Sequence, residues 1–111
     1  MKTSYFAKSA KNPKAVSIAG KAPYWYKGRQ YKKLAPKIWF FKRYKKDGDK
    51  QFYTEQFQKE ILDELDPLEV ANELGLDAVL LCWEAPGKFC HRHIVAGWLE
   101  ENLKIKIEEL E

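Results

Sequence analysis

DAVLLCWEAPGKFCHRHIVAGWL, residues 77 to 99, decides how the chain folds. Residues 77 to 83 are nearly unbroken apolar sequence bounded by turns, the pattern of a strand covered on both faces. Further on, Ile94, Val95, Trp98, Leu99 and Leu103 recur at helical spacing while Glu100 and Glu101 fall off that stripe, which predicts a helix over residues 91 to 103. The alternating KIKIEEL, 104 to 110, then predicts a final, edge-like strand. Strand, helix and strand in that order make a right-handed parallel crossover. The expected class is therefore α/β, with residues 77 to 83 as the central strand.

Working outward, KTSYFA (2 to 7) and AVSIA (15 to 19) are short and rich in β-branched and aromatic residues, and both read as strands. GKAPYWYKGRQYKKLAP, 20 to 36, reads as a long irregular loop, a length at which loops tend to carry function. KIWFFKRYKK follows as a helix with Pro36 at its first position, and DGDK at 47 to 50 is turn chemistry. Tyr53, Phe57, Ile61 and Leu65 recur every four residues as one apolar stripe, with Glu55, Lys59, Glu60 and Glu64 largely off it. Asp66 as N-cap, Pro67 in the first turn, Glu69 as capping-box acid and Gly75 past the end frame another short helix. The sum is a small, mostly parallel sheet of about four strands flanked by helices, in a single domain spanning residues 1 to 111.

A chain of 111 residues is long enough to bury one core without disulfides. Hydrophobic residues make up 45% and charged residues 32%, ordinary globular usage that excludes an intrinsically disordered chain. No window approaches the ~20 apolar residues of a membrane span, and the start has no signal-peptide pattern. The expectation is a soluble, cytoplasmic protein with no membrane partner, whose two cysteines are free thiols or ligands more readily than a stable bridge. A redox pair stays open, because loop residues this close in sequence can meet.

The net charge of +4 conceals an asymmetry: residues 1 to 50 carry 15 Lys and Arg against 2 Asp and Glu, whereas residues 51 to 111 carry 5 against 14. A basic half points to a polyanion such as nucleic acid. Pairing of the two halves within one fold is the alternative.

Residues 82 to 93 gather both cysteines and both histidines of the chain. Cys82 ends the central strand, while Cys90, His91 and Arg92 stand at the amino end of the following helix, at the sheet edge where open α/β folds bind ligands. A helix amino terminus favours anions and lowers a thiol pKa. Cys90 is the candidate nucleophile or redox thiol, His91 its acid or base, Glu84 a further carboxylate base, and Arg92 a bidentate anion clamp. Cys82 also fits a small buried strand residue, and Glu84 an exposed loop glutamate. Zinc held by Cys82, Cys90 and His91, with His93 nearby, is the rival. The spacing is not that of common structural zinc sites, and residues 91 and 93 of one helix point about 200 degrees apart. A phosphatase-type phosphate loop fits worse, since Cys82 and Arg92 stand ten positions apart.

VLLCWEAPGKFCHRHIVAGWL resembles the "LLC-x-E…CHR…A…L" signature of the DUF488 family of small bacterial, archaeal and phage proteins. TSYFA, VSIAGKAP and LAP resemble the family's N-terminal stretches, so the likeness spans most of the chain. The resemblance implies a compact α/β domain with a suspected active site at Cys82, Glu84, Cys90, His91 and Arg92. His93 occupies a position the pattern does not fix. The family carries no established reaction, so the resemblance localises function without stating it.

Lys21, Tyr24, Trp25, Lys27 and Arg29 join aromatic faces to cations, which is how proteins hold nucleotides or single-stranded nucleic acid. Trp39, Phe40 and Phe41 are expected in the core, whereas Tyr24, Trp25 and Tyr26 beside Pro23 are harder to bury together. The leading expectation is a phosphate-ligand-binding protein, with nucleotide or nucleic acid as partner, and Arg92 with the Lys21 to Arg29 loop as anion clamp. A noncatalytic nucleic-acid-binding module and a zinc-stabilised domain are the alternatives; no cofactor is required by the first two.

Overall fold

The computed structural model describes residues 1–85 and 87–110. In chain order the elements are β1 (Lys2–Tyr5), α1 (Phe6–Ser9), β2 (Ala15–Ser17), β3 (Arg29–Gln30), a 3-10 turn (Lys32–Leu34), α2 (Ile38–Asp47), α3 (Lys50–Glu60), a second 3-10 turn (Leu62–Glu64), α4 (Pro67–Leu74), β4 (Val79–Cys82), α5 (His91–Leu103) and β5 (Glu108–Glu109). The strands form one sheet in the order β3-β2-β4-β1-β5. Every ladder is parallel. None of the described helices is long and apolar enough to cross a membrane.

β4 is the centre, as its unbroken apolar run predicts. All four of its residues are buried, and alternation sends Leu80 to one face and Val79 and Leu81 to the other. On the Leu80 face lie Val16, Phe40, Phe57, Val70, Leu74, Val95 and Leu99, contributed by β2 and by α2 to α5. The opposite face is covered by Phe6, Ala19 and Tyr26. One face thus carries a thick helical layer and the other a thinner cover from α1, the 22–26 loop and Leu110.

The direction of the connections makes the functional edge. From β2 the chain moves outward to β3, and from the neighbouring β4 it moves the other way, past β1, to β5. Adjacent strands whose connections diverge leave a crevice at their carboxyl ends.

Several details depart from the sequence expectation. The first strand stops at Tyr5, and Phe6 to Ser9 turn into a helix whose Phe6 is buried under the sheet. The 20 to 36 loop contributes a fifth strand, β3, too short to leave a periodic signal. α2 begins at Ile38, because Lys37 is still extended, so Pro36 belongs to the preceding turn and not to the first helical position. Of Trp39, Phe40 and Phe41 only Phe40 is core, while Trp39 and Phe41 are 47% and 38% exposed. Residues ~100 degrees apart on a helix cannot all face inward. Ile61 closes the Tyr53 stripe and α3 ends at Glu60, before Leu65. β5 is confined to Glu108 and Glu109, since Lys104 turns left-handed at the end of α5 and residues 105–107 join neither α5 nor the sheet. Asp66 caps α4 as expected, its carboxylate accepting from the Leu68 N–H at 3.0 Å.

Candidate functional site

Cys82 is the last residue of β4 and Cys90 is the N-cap of α5, so the intervening loop returns the chain to the same edge of the sheet. The two are joined by a disulfide, where the sequence favours free thiols or ligands and leaves a bridge open. The physical reason is topological: a strand end and the start of the helix packed on it meet at one place. Both cysteines are buried, Cys82 more completely.

His91 is buried beside them. Its Nε2 lies 2.7 Å from the Ile18 carbonyl oxygen. A carbonyl only accepts, so Nε2 carries the proton and donates. Nδ1 then presents a lone pair, and it lies 3.9 Å from Cys90 Sγ. Burial pushes the imidazole pKa down to about 4, the Arg92 cation adding to that against the opposing Ile18 hydrogen bond. His91 is therefore neutral at pH 7, an acceptor aimed at Cys90.

Arg92 has 0% exposure and does not open into the cavity. Its Nε and Nη2 donate to the two Glu109 carboxylate oxygens at 3.1 and 2.8 Å. Its Nη1 donates to the Glu84 backbone oxygen at 2.7 Å and to Cys82 Sγ at 3.0 Å. Burial pushes the Glu109 carboxyl up, but hydrogen bonds from Arg92 and Thr3 outweigh it and hold the group below its usual range. Arg92, expected as an anion clamp, commits four of its five N–H donors to these partners, tying α5 to β5 and β4 and laying a cation against the Cys82 sulfur. Glu109, its partner, carries no signal in the sequence because β5 and α5 meet only in three dimensions.

A cavity of about 690 Å³ opens at this edge. Ala19, Gly20 and Lys21 follow β2, Cys82, Trp83 and Glu84 follow β4, and Cys90 and His91 open α5. These are the two diverging connections of the switch point. Phe41, Tyr44 and Lys45 of α2, Tyr53 of α3 and Phe89 complete the wall. Sequence reasoning missed this second group. Its only trace is the second apolar row of α2, Ile38, Phe41 and Tyr44, at helical spacing away from the buried Phe40. Glu84 is paired with Lys45 at 3.6 Å, and the Trp83 indole N–H donates to the Lys21 carbonyl at 2.8 Å, holding the 20 to 22 segment beside the 83 to 85 segment.

The structure brings Cys82, Glu84, Cys90, His91, Arg92 and Lys21 together, and it separates Tyr24, Trp25, Lys27 and Arg29 from them. Because β2 and β3 are parallel, the chain from Ser17 must run back along the sheet before β3 begins. Trp25, Lys27 and Arg29 consequently line a different cavity, at the amino ends of the strands. Tyr24 projects into solvent at 98% exposure. Arg29 donates to the Leu74 carbonyl at 2.9 Å and to that of Glu73. His93 is exposed, and the one cluster of metal-type ligands among the described residues comprises Cys82, Cys90 and His91, whose ligating atoms lie within 4.8 Å of one another.

No curated protein and no solved structure matches the chain. The family model DUF488-N3a, described as the active DUF488-N3 subclade, matches residues 3–103, and the chain belongs to that family.

Proposed function

We propose that the carboxyl-edge cavity binds a phosphate-bearing ligand, a nucleotide, and that Cys90 is its reactive thiol once the disulfide is reduced. The observation that carries the reading is the meeting of the Cys82, Cys90 and His91 cluster with an aromatic cavity of ligand size that also holds Lys21 and Lys45. Phe41, Tyr44 and Trp83 offer flat faces to a base, Lys21 offers charge to phosphates, and Lys45 does so by exchanging its Glu84 partner for one.

The disulfide is the resting state of this reading. A dithiol reductant attacks Cys90 Sγ, the less buried sulfur. The S–S bond breaks and Cys82 leaves as a thiolate, stabilised by the Arg92 guanidinium 3.0 Å away; lower leaving-group basicity speeds exchange. The second reductant thiol then displaces Cys90, and the reductant departs oxidised. The freed Cys90 stands at the N-terminus of a thirteen-residue helix, which favours its thiolate, with His91 Nδ1 as the neutral acceptor for its hydrogen. Such a thiolate supports a cysteine-dependent enzyme acting on the nucleotide. The test is alkylation of Cys90 in the reduced protein: a nucleoside triphosphate slows it, and replacing Lys21 and Lys45 together with alanine removes that protection.

A second reading is favoured by the ligand geometry. In the reduced protein Cys82, Cys90 and His91 supply three ligands, with the Nε2–H of His91 donating to a carbonyl as metal-bound histidines do. Zinc bound there would lower the pKa of a water in its open position. This reading predicts about one zinc per chain, by elemental analysis, after the reduced protein is equilibrated with zinc and desalted. Metal-free protein that keeps its fold would remove it.

A further inference from the structure

We propose that the amino edge of the sheet is a second, separate binding site, and that it holds the backbone of a single-stranded nucleic acid. The cavity there is of about 710 Å³ and lies between the 10 to 14 loop, the 25 to 29 segment and the turn after α4. Lys11, Lys14, Lys27 and Arg29 line it, and Asp77 is the one acidic side chain among its described lining residues. Asp77 is paired with Lys14 at 3.8 Å, so a surplus of positive charge remains. Arg29 is anchored by the backbone carbonyls of Leu74 and Glu73, and the nearby Glu73 carboxylate, shared with Lys33, offsets only part of its charge.

Trp25 stands in this wall, 46% exposed. The segment that carries it is held in place: the Tyr26 hydroxyl donates to the Arg29 carbonyl at 2.8 Å, and the Tyr26 ring lies so close to Gly28 that any side chain there would collide with it. A stacking face fixed beside several cations is the arrangement that tracks an unpaired strand, whose bases are free to stack. A duplex keeps its bases stacked on one another and would engage only the charge. Lys11 and Lys27 have no acidic partner among the described residues, in contrast to Lys14, paired with Asp77, and the inference does not depend on what the carboxyl-edge cavity binds.

The experiment is fluorescence anisotropy of a short labelled oligothymidylate against the reduced full-length protein, with circular dichroism of each variant as the check on folding. Binding is expected to weaken steadily as salt is raised. Trp25→Ala, and separately Lys11→Glu with Lys27→Glu, are each expected to lower affinity by at least about fivefold, the lower end for losing one stacked base. Lys42→Glu with Lys46→Glu, the same double charge reversal on the exposed face of α2, is expected to cost clearly less. Equal losses from the two double variants, equal affinity for a duplex of the same length, or no binding at low salt would each overturn the proposal.

Discussion

Replacing Arg92 with alanine is expected to lower the unfolding free energy by about 3 kcal/mol, and the melting temperature by about 10 °C or more. The guanidinium is fully buried and joins four partners: both oxygens of Glu109, the Glu84 carbonyl and the Cys82 sulfur. Truncation leaves the carboxylate and the carbonyl without their donor, and breaking a buried ion pair from one side typically costs about 3–5 kcal/mol. Glu109 retains 24% exposure of its side chain, so water relieves part of that cost and the lower end applies. β5 should loosen first, since it has only two paired residues and Arg92 and Thr3 hold its Glu109. Urea titration at neutral pH measures the change. Wild-type stability in Arg92→Ala would contradict the structural role and return Arg92 to the anion clamp that the sequence alone indicates.

Acidification from pH 7 to pH 5 is expected to cost about 2 kcal/mol of stability through His91 alone. The sign follows from the depressed pKa. In the unfolded chain the imidazole takes up a proton near its ordinary pKa of 6.5, whereas in the native protein burial defers this to about 4. Between those values the unfolded state binds more protons, so stability falls as pH falls. Carboxylates held low in the native state, Glu109 among them, act in the same direction but only nearer their own range. His93, though exposed at its edge, is also shifted down by partial desolvation of its ring and by Arg92. A His91→Gln variant keeps His93 and separates the two contributions. Denaturation at several pH values should show a sloping wild type and a flatter variant. A wild type insensitive to pH between 5 and 7 would mean that His91 is not the buried neutral group described.

What the sequence disclosed and what it withheld follow from the range of the interactions. β4 and α5 were legible because their apolar spacing is local, and the position of Cys82 and Cys90 at the sheet edge follows from it. β3 was not, since Arg29 and Gln30 are too few to show a period. Arg92 looked like a free cation because its partner Glu109 lies seventeen residues on, on a strand that reaches α5 only after pairing with β1. The disulfide is undecided in the sequence for a similar reason: spacing permits a bridge, but only the return of the chain from β4 to α5 brings the sulfurs together. The aromatic and basic loop read as one surface, and parallel pairing of β2 with β3 divided it between opposite edges.

The claim that joins these observations is that Cys90 belongs to a ligand cavity. Its most direct test is the rate at which iodoacetamide labels each cysteine of the reduced protein, followed by peptide mass spectrometry with and without a nucleoside triphosphate. The account predicts that Cys90 is labelled ahead of the more deeply buried Cys82, and that the nucleotide slows its labelling. Labelling of Cys90 at the same rate with and without nucleotide, or a Cys90 that stays unlabelled in a folded, reduced protein, would contradict it.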